Sequence, residues 1–263
     1  TTFPGTVRLL SADTRRLAAR VLAGEYGRNM ALANFTLHPE EEALSPERRS
    51  ARAVLRVGEL APLRLHADEW LAGAAPLLEA TFHQQPVAKT GGTSHTTIGF
   101  ERALREGLAS YRRRLRERRE RGGLDPEQHE FLDAMEECLD AMAIWHRRLL
   151  DGLEELGLDE VRARLFRVPE QPPETFGEAV QALWFLWEFQ RLCGNWSGLG
   201  RVDKMLGPYL ARDLADEAIT LDEARELLAH FWIKGAEWIG AKNSHIGSSG
   251  DAQFYQNVVL GGV

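Results

Sequence analysis

Residues 175–189 of the 263-residue chain read TFGEAVQALWFLWEF. Apolar side chains occupy nearly every face of a helix built from this stretch, and a helix of that kind belongs in the centre of a large protein. Three polar residues interrupt it, Glu178, Gln181 and Glu188, and the stretch is too short to cross a bilayer. The pattern therefore predicts that a helix over about Phe176–Leu192 is the most buried element of the fold.

Helical patterns continue on both sides of this stretch. Apolar residues recur every three to four positions, Ser45 and Pro46 form an N-cap and a first helical residue, and Thr220 and Glu223 form a capping box. The predicted helices cover about residues 11–25, 46–59, 100–121, 126–156 and 221–238. The expected apolar stripes are Phe100, Ala103, Leu104, Leu108, Tyr111 and Leu115 on one helix, and Phe131, Met135, Leu139, Met142 and Trp145 on the next.

A single segment has the pattern of a strand. Val258-Val259-Leu260 is a short apolar run closed by two glycines, and we expect Asn257–Leu260 to be extended. One strand cannot be stable alone, so we expect the chain to be the front part of a longer polypeptide. The chain is therefore predicted to be mainly α-helical, with a sheet that begins at its end.

Charge and composition exclude several classes of protein. The net charge is −7, whereas a general nucleic-acid binder is usually basic. The segment Arg112–Arg121 contains seven arginines, but without interleaved aromatic residues it indicates a solvated helix end. No run of 18 apolar residues occurs, the first residues do not form a signal peptide, and two cysteines form no disulfide framework. We expect a cytoplasmic protein that binds neither nucleic acid nor membrane.

Common catalytic and metal motifs are absent from the sequence. The eight histidines and two cysteines show neither an HExxH motif nor zinc-site spacing, and no GxSxG motif occurs. The glycine-rich turn Cys193–Asp203 lacks the Lys-Ser/Thr pair of a phosphate loop and follows a helix, so its glycines indicate a tight turn and close packing. We therefore predict no metal site.

A long irregular stretch, residues 62–99, separates two of the predicted helices. It ends in KTGGTSHTTIG at residues 89–99, and loops of this length inside a compact domain are often functional. His95 lies in this polar segment rather than on a helix face, which makes it a candidate site residue.

Four stretches of the second half, in this order and spacing, resemble the glycyl radical enzymes of the pyruvate formate-lyase type. They are TFGEAVQAL at 175–183, GLGRVD at 198–203, ITLDEA at 219–224 and QNVVLGG at 256–262. Residues 91–107 further resemble the first substrate-pocket loop of that family and the helix that follows it. The resemblance covers most of the chain but only the amino-terminal part of the much longer family polypeptide.

The resemblance implies a ten-stranded α/β barrel wrapped in helices. Residues 1–263 would be the amino-terminal helical portion of that single domain, ending at the first barrel strand. In the family, a glycyl radical on a carboxy-terminal loop passes to a cysteine on a central loop, and neither Cys138 nor Cys193 matches that cysteine. We therefore expect no catalytic residue and no bound cofactor in this chain, and no activity from the chain alone.

The resemblance also implies which residues form the wall of a substrate pocket. His95 falls at a family position for a pocket His or Arg, and Tyr255 falls near a pocket aromatic, so we expect the two side chains to approach one another. Gln253, Gln256 and Asn257 flank Tyr255 with polar groups.

Two positions bear on the substrate. Gly99 stands where amine- and diol-cleaving members carry Asp or Asn, which disfavours choline-like and glycerol-like substrates. The pyruvate enzymes have Arg at the position of His95, which disfavours pyruvate. Four further residues are predicted to be structural: Gly198 and Gly200 shape the turn, and Arg201 and Asp203 form a buried ion pair.

The resemblance implies partners for the full-length protein. They are a small, oxygenated organic substrate, a radical-SAM enzyme that installs the glycyl radical, the remaining carboxy-terminal part, and a second copy in a homodimer. An alternative remains open, in which the chain is a radical-free helical homologue that serves as an assembly or interaction module. A reading frame that continues past Val263 into a cysteine loop and a glycine loop would favour the enzyme.

Overall fold

The computed structural model describes residues 10–28, 37–68, 70–74, 94–193, 196–237, 239–240 and 258–261. Helices dominate this part of the chain, as predicted. They are α1 (Ala12–Leu22), α2 (Glu25–Arg28), α3 (Pro46–Leu60), α4 (Phe100–Glu106), α5 (Leu108–Glu120), α6 (Pro126–Glu155), α7 (Asp159–Phe166), α8 (Phe176–Leu192), α9 (Val202–Ala215) and α10 (Leu221–Lys234). The strands are β1 (Ser94–Thr97), β2 (Trp196–Gly198), β3 (Gly200–Arg201) and β4 (Val258–Val259).

Helix α8 lies at the centre of the hydrophobic core. Its side chains are buried on every face, and α4, α7, α9 and α10 pack around it. Thr175 caps its first turn by accepting the Glu178 N–H at 3.1 Å, and Asp213 of α9 accepts the Phe176 N–H at 2.6 Å. The prediction of a fully buried central helix is confirmed.

Local capping signals also predicted the helix starts correctly. Thr220 and Glu223 form the reciprocal capping box of α10, with N–H···O distances of 3.2 and 2.8 Å. Ser45 caps α3, and Pro46 is its first helical residue.

Two details of the predicted helices are wrong. The helix expected over 100–121 is two helices, because Gly107 has φ +68° and donates its N–H back to the Ala103 carbonyl. The expected stripe of α6 is rotated in its first turns: Phe131 is 53% exposed and Met135 36% exposed. The first turns of α6 instead bury Leu132 and Ala134.

Two arginines of the Arg112–Arg121 segment form ion pairs with the next helix. Arg112 of α5 pairs with Asp140 of α6 at 2.6 Å, and Arg119 pairs with Asp133 at 2.8 Å and with Glu136. These guanidinium groups join α5 to α6 rather than forming only a solvated helix end. Such partly exposed pairs each contribute about 1 kcal/mol or less.

The sequence predicted one strand, but the described residues contain four short ones in two parallel pairs, β1 with β2 and β3 with β4. Strands β1–β3 have four, three and two residues and are rich in Ser, Thr and Gly, so they lack the apolar alternation that identifies a strand. The predicted terminal strand is present at Val258–Val259, and it has a partner. None of the helices among the described residues has the length and apolar character needed to span a membrane.

Candidate functional site

Two strand pairs meet on one short stretch of chain, residues 196–201. Strands β2 and β3 follow one another in this stretch and are separated only by the buried Leu199. The first pairs with β1 (Ser94 beside Trp196, Thr97 beside Gly198), and the second pairs with β4 (Gly200 beside Val258, Arg201 beside Val259). Segments about 100 residues before and about 60 residues after the stretch are thereby brought to it.

The predicted turn glycines allow close packing at this junction. Gly200 has φ +73°, and a Cβ there would lie 2.7 Å from the Thr97 Cγ2 atom at the end of β1. Gly198 is buried in β2. The close packing that the sequence indicated is therefore present at Gly200, and it serves paired strands as well as a turn.

Arg201, the last residue of β3, and Asp203, in the first turn of α9, form a two-pronged ion pair. The two N···O distances are 2.8 and 2.7 Å, and both side chains are about 30% exposed, so the pair is half-buried rather than buried. Asp203 also accepts the Gly261 N–H at 3.1 Å, which holds the backbone that follows β4. The Arg201 hydrogen bond keeps the pKa of Asp203 well below its usual range, and Asp203 therefore stays ionised.

We expect Gly200→Ala to destabilise the protein by about 2–3 kcal/mol, because it combines a left-handed backbone with a collision against Thr97. Urea unfolding measures this. Gly157→Ala is the matched control, since Gly157 has φ +67° and no neighbour within 4 Å, so it should cost only about 1 kcal/mol. Equal losses for the two variants would show that β1 does not pack against Gly200.

The other predicted site residues belong to β1 or come shortly before β4, the two strands that pair at this junction. His95 is the second residue of β1, and its backbone is described but not its side chain. Gln253, Tyr255, Gln256 and Asn257 lie outside the described residues, directly before β4 in the sequence. The expected approach of His95 and Tyr255 therefore stays a prediction.

The two cysteines lie in helical positions, Cys138 inside α6 and Cys193 at the carboxyl end of α8. Burial raises the pKa of Cys138 to about 11 and raises that of Cys193 well above its usual value. Both thiols stay protonated near neutral pH, unlike an activated nucleophile. In the described part of the chain, no three His, Cys, Asp or Glu side chains are grouped so that they could hold a metal ion.

Sequence reasoning missed a polar face of α8 that contacts residues 72–74, inside the irregular stretch 62–99. Gln181, Trp184 and Glu188 form hydrogen bonds with the backbone of residues 72–74. The signal was present, because positions 181, 184 and 188 share one face of a helix that is otherwise apolar.

The chain is similar to known proteins over most of its length. A family described as pyruvate formate lyase-like matches residues 68–263. Isethionate sulfite-lyase from Nitratidesulfovibrio vulgaris is 31% identical over 186 residues, which are 62% of this chain and 22% of the relative. The probable dehydratase YbiW from Escherichia coli is 30% identical over 192 residues, which are 66% of this chain and 24% of the relative.

A solved structure has the same fold. The glycerol-bound form of the B12-independent glycerol dehydratase from Clostridium butyricum superposes with a TM-score of 0.77 at 16% identity, over 99% of this chain and 44% of that one. The chain thus matches less than a quarter of the length of these two curated relatives and under half of the solved structure. Since the family match covers three quarters of its residues, the chain belongs to the pyruvate formate lyase-like family of glycyl radical enzymes.

Proposed function

We propose that this chain forms one wall of the substrate pocket of a glycyl radical lyase that acts on a small, oxygenated organic molecule. The observation that carries the proposal is the strand junction at 196–201. It pairs with the segment that contains His95 and with the strand that follows Tyr255. Two segments far apart in sequence, each with candidate substrate contacts, therefore converge on one stretch of backbone.

His95 and Tyr255 have complementary roles in this proposal. An imidazole can donate a hydrogen bond to a substrate hydroxyl or carboxylate. An aromatic ring can orient the apolar part of a substrate and exclude water, which a radical intermediate requires. Gln253, Gln256 and Asn257 add hydrogen-bonding groups directly before β4.

A lyase is favoured over an acyltransferase. Two of the relatives are named as a sulfite-lyase and a probable dehydratase, which are names for enzymes that break a bond from carbon to a heteroatom. His95 stands where the pyruvate enzymes have an arginine, which also favours a lyase. In the proposal, the radical is installed on the full-length protein by a radical-SAM activating enzyme, the full-length protein is a homodimer, and the chain alone is inactive.

The test uses the full-length protein that contains this chain, activated under anaerobic conditions. Turnover is measured with isethionate, glycerol, 1,2-propanediol and trans-4-hydroxy-L-proline, and the glycyl radical is quantified by electron paramagnetic resonance. We expect His95→Ala and Tyr255→Ala each to lower turnover at least tenfold, about 1.4 kcal/mol in activation free energy, while the radical signal is unchanged.

The exposed His129 on α6 provides the matched control, because His129→Ala should leave both measurements unchanged. Full turnover by either pocket variant would remove that residue from the site. A full-length protein without any radical signal, even with its activating enzyme, would instead support the assembly-module alternative.

A further inference from the structure

An open groove follows the amino half of α6. Two adjoining cavities form it, with volumes of about 510 and 380 Å³, and both are open to solvent. Glu47 of α3 and Phe131 of α6 line both cavities. Because they share these residues, the two cavities form one continuous feature of the surface, which we call the α6 groove.

Three helices contribute side chains to the α6 groove. Helix α3 supplies Glu47 and Ala51, which lie one turn apart, and α5 supplies Tyr111 and Arg118. Most of the remaining lining comes from α6, between Glu127 and Leu139. All these elements are among the described residues, and none of them is a strand of the 196–201 junction.

The floor of the groove is an apolar stripe on α6. Phe131, Met135 and Leu139 follow one another at intervals of four positions and share one face of the helix. Phe131 is 53% exposed and Met135 36% exposed, although both fit the pattern of a core-facing stripe. Exposed apolar side chains that line a groove together mark an interaction site, whereas scattered ones do not.

The rim of the groove carries an excess of negative charge. Its charged residues are three carboxylates against one guanidinium, Glu47, Asp125 and Glu127 against Arg118. Glu47 and Glu127 are exposed, and neither pairs with a cation of the described residues. Arg118 donates to the Gly122 carbonyl at 3.0 Å. The amino ends of α3 and α6 add about half a positive charge each, which still leaves the rim negative.

The dimensions favour a helix as the occupant. Since an α-helix rises about 1.5 Å per residue, the lining positions from Glu127 to Leu139 span about 18 Å, roughly three turns. A small-molecule site encloses about 70–90% of its ligand, which two cavities open to solvent do not. A helix with apolar residues at one-turn intervals would fill both cavities in succession.

We propose that the α6 groove binds an amphipathic helix of a partner protein, with apolar residues along one face and Lys or Arg on its flanks. The apolar face of that helix covers Phe131 and Met135, and its cations approach Glu47 and Glu127. The inference is independent of the proposed substrate pocket, because β1–β4 contribute no residue to the groove.

The test uses the full-length protein that contains this chain and a synthetic helical peptide. The peptide is crosslinked between side chains, because a free helix of about three turns is marginal in water. It has leucines along one face and lysines on both flanks, and binding is followed by fluorescence anisotropy. We expect a dissociation constant in the micromolar range. Absence of binding would overturn the proposal.

Phe131→Ser should weaken binding of this peptide at least tenfold, because it removes the apolar anchor shared by both cavities. Met135→Ser should act in the same direction. Phe166→Ser is the matched control, since Phe166 of α7 is 63% exposed but lies outside the groove. Equal losses for Phe131→Ser and Phe166→Ser would show that the peptide binds without using the groove.

A second pair of variants tests the charge of the partner. Glu47→Gln combined with Glu127→Gln should weaken binding about fivefold at low salt and change it little at high salt. Glu155→Gln, on the exposed carboxyl end of the same helix, should leave binding unchanged. A peptide with glutamates in place of the lysines should bind at least tenfold more weakly, and equal binding of both peptides would contradict a basic partner.

Two other occupants of the groove give different results. If a second copy covers it, the protein self-associates in sedimentation experiments and Phe131→Ser abolishes the association. If the remainder of the same polypeptide covers it, Phe131→Ser destabilises the full-length protein and the peptide does not bind. Either result would overturn the proposal of a separate basic helix. Loss of turnover in His95→Ala bears only on the proposed function and leaves this inference unaffected.

Discussion

Replacing Trp184 with alanine should lower the free energy of unfolding by about 3–5 kcal/mol, the range for emptying the space of a buried large aromatic residue. The Trp184 ring is 0% exposed. Its centroid lies 5.6 Å from that of Trp187 and 5.7 Å from that of Phe231, and its N–H donates to the Gly73 carbonyl. The variant therefore leaves a cavity in the centre of the core and one buried carbonyl without its donor.

Urea unfolding followed by far-UV circular dichroism measures the loss. Trp232→Ala is the matched control on the adjacent helix α10, because the Trp232 side chain is 36% exposed and its removal should cost about 1 kcal/mol. A loss below about 1 kcal/mol for Trp184→Ala would contradict the placement of α8 at the centre of the core.

Elements with local signals were predictable from the sequence. Helix α8 follows from apolar residues on all faces, and α10 follows from a capping box that needs only four consecutive residues. The start of α3 at Pro46 depends on the residue before it. In each case the residues that decide the structure lie within one or two turns of one another, so periodicity and capping suffice.

Elements specified by distant partners were not predictable. Strand β1 is extended because it pairs with β2, about 100 residues later, and neither Ser94–Thr97 nor Trp196–Gly198 has an apolar alternation of its own. Phe131 matched the spacing of an apolar stripe, yet its side chain lies on the surface. Spacing identifies a face of a helix, but only the neighbouring elements determine which face is buried.

The candidate site also contains contacts that local sequence predicts and contacts that depend on distant partners. The Arg201–Asp203 pair was predictable, because the two residues are two positions apart and oppositely charged. Other contacts join distant residues. The Gly261 N–H donates to Asp203, 58 positions away, and the Ala74 N–H donates to Glu188, 114 positions away. A buried glutamate in an apolar helix indicates a polar partner, but the sequence alone does not say that the partner is backbone.

Acid should destabilise the protein well above the pH at which most carboxylates titrate. Burial lowers the pKa of His230 to about 4 and that of His66 also to about 4, with Lys234 as a further cause for each. His230 is buried between α1 and α10, its Nε2 lies 3.2 Å from the Thr14 hydroxyl, and its ring stacks on Trp70 at 4.7 Å. A positive charge on this imidazole would be repelled by the Lys234 ammonium group.

His66 is also held in its neutral form. Arg64 Nε donates to His66 Nε2 at 3.3 Å, and protonation would remove that acceptor. The ring also packs edge-on against Tyr26 of α2, with the centroids 4.0 Å apart. Both histidines therefore lie where α1 and α2 contact the rest of the fold, and charging them weakens that contact.

The direction of the pH effect follows from the two lowered pKa values. Well above pH 6.5 both histidines are neutral in the folded and unfolded states and add no pH dependence. Between pH 6.5 and 4 the unfolded chain binds protons that the folded protein excludes, so stability falls as pH falls. For His230 alone, the loss in the free energy of unfolding approaches about 2–3 kcal/mol near pH 4. The raised pKa of the buried Glu237 acts in the opposite direction and offsets part of the loss.

His230→Gln separates this contribution from every other titrating group. Glutamine reaches the position of the imidazole Nε2 and keeps a donor for the Thr14 hydroxyl, but it cannot be protonated in this range. We expect the variant to be slightly less stable than the parent near pH 7 and to lose clearly less stability between about pH 7 and pH 4.5. His129→Gln, on the exposed side of α6, should follow the parent at every pH. If His230→Gln and the parent lost the same free energy over that interval, His230 would not be the buried neutral group that joins α1 to α10.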